Sequence, residues 1–201
     1  MRHPSSERLV HRLATPAVWS KLVLGLVAVG AVYVSIASAP GTIGLLAAAL
    51  ALVMLAIAVI DWRSFIIPDW LNAAGFGLAI MHAAAQAPEA MLQAIAMAAL
   101  RGVGLALVFF ALRYIYARLR GRQGLGLGDV KLALVAGAWL DWLMIPIAIE
   151  LAAFAALSAY LLRQLASGRS ISATNRMPFG LFFAPAIWMC WLFETRWLES
   201  F

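Results

Sequence analysis

The chain is short of charge. Only 12% of its 201 residues are Asp, Glu, Lys or Arg, while 65% are hydrophobic. Soluble domains carry about 25% charged and roughly 45–50% apolar residues, so a water-facing globule is excluded and an integral membrane protein is read instead. The alternating pattern of a membrane barrel is missing, which leaves helices as the spanning elements. A single cysteine, Cys190, excludes an internal disulfide. No signal-peptide cleavage pattern follows the polar, basic residues 1–21, so the apolar run at 22–38 is read as a retained first helix. His3, His11 and His82 show no metal-ligand spacing, and no metal or other cofactor is assigned. No GxSxG elbow occurs, and Cys190 lies in an apolar run without an evident base. No inverted or tandem repeat stands out, which weighs against a transporter.

What remains is a series of apolar runs. They predict an all-α, polytopic bundle of about seven transmembrane helices near 22–38, 42–60, 70–87, 91–117, 129–142, 144–162 and 178–195. The fifth is short enough to be partly buried in the bundle. Formal charge is +6, and its placement sets the topology. One side collects Arg2, Arg8, Arg12, Lys21, Arg63, Arg118, Arg120, Arg122, Arg163, Arg169 and Arg176; the other holds Glu89, Asp141, Glu194, Arg196 and Glu199. The lysine and arginine excess marks the first side as cytoplasmic. The N-terminus is then inside and the C-terminus outside.

Two aspartates fall at the cytoplasmic edge. Asp61 ends one apolar run and Asp129 opens another, within GLGLGDVK. An ordinary helix-end charge accounts for Asp129, because a helix N-terminus favours an anion, but it accounts poorly for Asp61 near a C-terminus. Two neighbouring carboxylates cannot both ionise cheaply and so share a proton. One then serves as general base toward water while the other protonates the carbonyl oxygen under attack. On the helix-end argument, Asp129 is the ionised partner and Asp61 holds the proton. Gly126 and Gly128 leave room for an extended peptide beside the pair and permit backbone angles that other residues avoid.

These stretches resemble a known family. GLGLGDVKLALVAGAWLDW (124–142) is similar to the GxGD motif of the type IV prepilin peptidases, DWRSFIIPD (61–69) to their other aspartate motif, and MPFGLFFAPA (177–186) to a segment of their last helix. The resemblance implies an aspartic endopeptidase of the bacterial inner membrane. It would cut the basic leader from prepilins or type II secretion pseudopilins at the cytoplasmic face, with Asp61 and Asp129 as the catalytic pair. Asp69 matches a position where asparagine also occurs, which implies a helix cap or a place in the site wall rather than a catalytic acid. Pro68, Asp69, Gly126, Gly128 and Lys131 are the candidates for substrate contact. Residues 41–197 would form the peptidase-like membrane domain, 22–40 an additional transmembrane helix, and 1–21 a cytoplasmic segment. Many members carry an N-terminal insert with paired CxxC motifs that accompanies N-methylation; residues 1–21 are too short for it and no second cysteine exists, so that activity is not carried over. The expected partners are the substrate's leader and apolar helix and membrane lipid, with no nucleic acid.

Other polar residues have more than one reading. Lys131 either snorkels to the interface or acts on Asp129. Arg101 and Glu150 either pair across helices four and six or sit nearer a surface. Trp139, Trp142, Trp188, Trp191 and Trp197 are read as interface anchors. Two rival functions are an intramembrane GxGD protease related to presenilin, and a non-enzymatic small transporter or assembly subunit.

Overall fold

A computed structural model of the chain describes residues 16–121, 124–167 and 178–198, the side chains of 16–19, 167 and 197–198 excepted. Within these residues seven α-helices occur: α1 Pro16–Ser38, α2 Gly41–Ser64, α3 Asp69–Gln86, α4 Met91–Arg120, α5 Leu127–Trp139, α6 Met144–Ser167 and α7 Gly180–Phe193. Each expected span coincides with one of them, and no strand is present among the described residues. The regions of α1, α2, α4 and α6 are long and apolar enough to cross a membrane. The chain is a multi-pass membrane protein.

Consecutive helices alternate in direction. Asp61, near the end of α2, meets Leu181 at the start of α7. Arg101, near the start of α4, meets Gly137 near the end of α5. Arg196, after α7, donates to Ser38 at the end of α1. The described cations Lys21, Arg63, Arg118, Arg120 and Arg163 therefore lie at one end, with both aspartates, and Glu89, Asp141, Glu194 and Arg196 at the other. Arg2, Arg8, Arg12, Arg122, Arg169, Arg176 and Glu199 fall outside the described residues.

Four helices form the centre. α2 touches α3 and α7, and α5 touches α3, α4 and α7, while α1 leans on α2 and α6 on α7. Lipid is as apolar as leucine, so burial alone cannot drive such contacts; close packing must. At the α4–α5 crossing a Cβ on Gly102 would lie 2.6 Å from the Leu134 carbonyl oxygen, and one on Gly137 2.6 Å from that of Arg101. Only glycine permits the two backbones to approach so closely. α1 is tied on by Ser35, which is fully buried and accepts the Trp188 indole N–H at 2.9 Å.

Several sequence expectations change here. Trp139 and Trp191 are buried, not interfacial. The His82 ring stacks on Trp139 with centroids 4.1 Å apart, and Trp191 meets both edge-on. Trp188 is spent on Ser35, Trp142 is exposed, and the side chain of Trp197 is outside the described set. Arg101 pairs with Asp141 at 3.2 Å, across the close α4–α5 crossing, while Glu150 stands exposed on α6.

Candidate active site

α2 ends because Phe65 turns left-handed (φ 55°) and gives its N–H to the Asp61 carbonyl at 2.9 Å. Residues 65–68 then reverse the chain into α3, with Pro68 extended before its first turn. Across from this turn, Gly126 precedes α5 in an extended conformation. Between the two turns lies a pocket of about 300 Å³ lined by Asp61, Phe65, Ile66, Ile67, Asp69, Gly126, Leu127, Gly128, Asp129 and Lys131. Both aspartates thus open onto one space.

Each carboxylate is held by a helix N-terminus, though not the same one. Asp129 is the third residue of α5 and its Oδ2 accepts the Gly126 N–H at 3.1 Å, one half of a capping box. Asp61 is buried, and its Oδ2 accepts the Leu181 N–H of α7 at 3.0 Å. The poor electrostatics of a carboxylate at the end of its own helix are answered by the start of another. The argument that separated an ionised Asp129 from a protonated Asp61 therefore no longer separates them, because both now have a positive helix end.

The docking of α7 rests on residues 178–180. A Cβ on Gly180 would lie 2.9 Å from Asp61 Oδ2 and 2.7 Å from Ile67 Cδ1, so any other residue would push the amides off the carboxylate. Phe179 and Phe183 pack together at 5.3 Å, and Phe183 stacks on Phe109 of α4 at 5.7 Å, fixing the height of α7. Gly180 and the Leu181 amide are site groups that sequence reasoning missed. Their signal was present in MPFG, a glycine at a helix start facing an otherwise unexplained aspartate. Met177, the first residue of that stretch, is outside the described residues.

The glycines of GLGLGD serve close packing. None takes a positive φ, so unusual backbone angles are not their reason. A Cβ on Gly126 would come 3.0 Å from Asp129 Oδ2, and one on Gly128 3.0 Å from Ile67 Cβ. They let Asp129 fold back on its cap and let the two turns close around the pocket. Lys131 makes no hydrogen bond to Asp129; its Nζ lies 2.6 Å from Asp69 Oδ1 across the pocket mouth. Asp69 makes no cap hydrogen bond to α3. Pro68 is absent from the pocket wall and shapes the turn behind it, its carbonyl accepting the Leu71 and Asn72 amides.

Paired carboxylates in a small, partly apolar pocket are suited to sharing a proton and activating water. The comparisons with known proteins agree in kind. The chain is 31% identical over 183 residues to the prepilin leader peptidase/N-methyltransferase of Aeromonas hydrophila, covering 86% of this chain and 58% of that protein. It is 30% identical over 132 residues to leader peptidase HopD of Salmonella typhimurium, covering 66% of this chain and 82% of that protein. With HopD of Escherichia coli identity is 40% over 78 residues, 39% of this chain and 50% of that one. No solved structure matches. The model of the type IV leader peptidase family matches residues 48–161, a region that holds both Asp61 and Asp129, and the chain belongs to that family.

Proposed function

We propose that the chain is an aspartic endopeptidase that removes the leader peptide of type IV prepilins or type II secretion pseudopilins at the cytoplasmic face of the bacterial inner membrane. The observation that carries this reading is the opening of Asp61 and Asp129 onto one pocket, each carboxylate held by a backbone amide of a helix start. One carboxylate draws a proton from water, which adds to the scissile carbonyl; the other delivers a proton to the carbonyl oxygen, and then the amine leaves protonated. The pair titrates as a unit, so the two roles belong to the pair. The substrate strand lies between the Phe65–Ile67 turn and the Gly126–Asp129 turn, where Phe65 and Ile66 offer exposed apolar side chains to its hydrophobic segment. Positioning supplies much of the rate.

The reading places the N-terminus and the arginine-rich ends in the cytoplasm. Coexpression with a candidate prepilin, followed by an immunoblot for the shortened form, tests the activity. Processing that persists in Asp61→Asn or Asp129→Asn refutes the assignment. A cytoplasm-active reporter fused after Ser200 should be silent; an active one inverts the topology.

A further inference from the structure

Asn72 is the buried polar residue that the chemistry above leaves unused. Its side chain is 4% exposed, and neither its amide nitrogen nor its amide oxygen has a hydrogen-bond partner among the described residues. Buried amides are almost always partnered, because an unmet donor or acceptor is costly. A leucine, with the same number of side-chain heavy atoms, would avoid that cost. The residue is also well placed. Asp61 lies three residues before the end of α2 and Asn72 three residues after the start of α3, so with a four-residue turn between the helices both sit about 4.5 Å deep. Asp129, two residues into α5, is about 3 Å deep on the same count.

The buried stripe of α3, Asn72, Gly75 and Ala79, faces the crevice between α2 and α5. A Cβ on Gly75 would meet Val135 of α5 at 3.0 Å and Met54 of α2 at 3.4 Å. Asn72 is one turn nearer the aspartates on that stripe.

We propose that Asn72 is a positioning residue of the aspartate pair, its amide completing the pair's hydrogen-bond set from beneath the pocket through one buried water. An amide can donate to a carboxylate and accept from a water or a protonated acid, so it fits a pair that holds one proton between two oxygens in either arrangement. A hydroxyl of threonine retains this capacity in part; leucine has none. This inference rests on the peptidase reading.

The test uses the full chain in detergent, a prepilin as substrate, and three readouts: kcat and KM separately, the pH profile of kcat, and the melting temperature. Asn72→Leu should lower kcat by about 10- to 100-fold, the scale seen when a supporting hydrogen bond is removed from a site. KM should stay within about threefold, since the strand contacts are elsewhere. The acid limb of the profile should move to higher pH, because the ionised partner has lost a donor. Melting temperature should hold, as the Asn72 side chain makes no direct hydrogen bond to another described residue. Asn72→Thr should recover most of kcat. Wild-type kcat and pH profile in Asn72→Leu overturn the proposal and make the amide a packing misfit. If Asn72→Leu does not accumulate, Asn72→Ala and Asn72→Thr decide: a slow alanine variant beside a near-normal threonine variant supports the role, and equal rates overturn it. A wild-type chain that cuts no prepilin removes the peptidase reading and this inference with it, a result distinct from active wild type with unaffected variants.

Discussion

α1 and α5 are both apolar helices, and they do opposite things. α1 runs 23 residues and leaves Leu26, Val29 and Tyr33 about 70% exposed to lipid. α5 runs 13 residues, and among Leu132–Trp139 only Leu134 is not fully buried. At 1.5 Å per residue α5 reaches about 20 Å, short of the roughly 30 Å hydrocarbon layer. Length thus separates α1 from α5, while apolarity alone does not, since the short α7 is apolar throughout and largely buried. The paired aspartates lie where the long α2 meets the short, buried α5 and α7, whose ends leave space for a pocket. The paired carboxylates come from α2 and α5, and the amide that holds Asp61 from α7, another short helix of 14 residues.

The sharpest way to break this contrast is to disarm the inner pair. Asp61→Asn and Asp129→Asn should each lower prepilin cleavage by at least about 10³-fold at matched membrane levels. The double variant should be hardly worse, since the two act as one unit. Wild-type kcat should fall at both pH extremes, because one proton must stay on the pair; a profile flat in pH would separate the carboxylates. Next comes Gly180→Ala. The added methyl falls 2.9 Å from Asp61 Oδ2, so α7 must retreat and kcat should drop about 10- to 100-fold, as for a lost supporting hydrogen bond. Full activity would mean that the Leu181 amide contact is dispensable.

Glycines on inner and outer surfaces sharpen the comparison further. Gly137→Ala forces a methyl to 2.6 Å from a backbone oxygen and should destabilise the bundle by about 1–3 kcal/mol in a reversible unfolding assay. Gly30→Ala on α1 meets nothing within 4 Å and should be neutral or stabilising by up to about 1 kcal/mol. The smallest effect belongs to the pocket mouth. The Lys131 and Asp69 side chains are 45% and 75% exposed, and such pairs contribute well under about 1 kcal/mol. Asp69→Asn should keep substantial cleavage activity. If it is dead while Asp61→Asn is active, the site must be redrawn around Asp69 and Asp129.

The seven helices were legible because apolar runs have few alternatives in lipid. The aspartates were legible because a carboxylate at membrane depth is costly without a task. What the residues alone did not disclose was long-range. Leu181 lies 120 positions from Asp61, and nothing local in either segment names the other. Tryptophan suits an interface and a core equally, so Trp139 and Trp191 were misplaced until His82 was seen between them. The partner of Arg101 depended on the glycine crossing that brings α4 and α5 together, which sets Asp141 within reach, while Glu150 stands exposed on α6.

That crossing has a metric consequence. Arg101 is level with Gly137, and Arg113 hydrogen-bonds to the Leu125 carbonyl, so the two helices stay in step along their length. Counting back from Gly137, Asp129 stands level with about residue 109 of α4, which leaves about 16 Å of that helix beyond the pocket before it stops at Arg120. A peptide leaving the pocket alongside α4 in extended form uses about five residues to clear that tip. On the peptidase reading proposed above, the overhang acts as a ruler: it sets how far a cationic end of a bound strand stands from the arginines at the tip of α4, and so relates the length of a leader to the charge it meets.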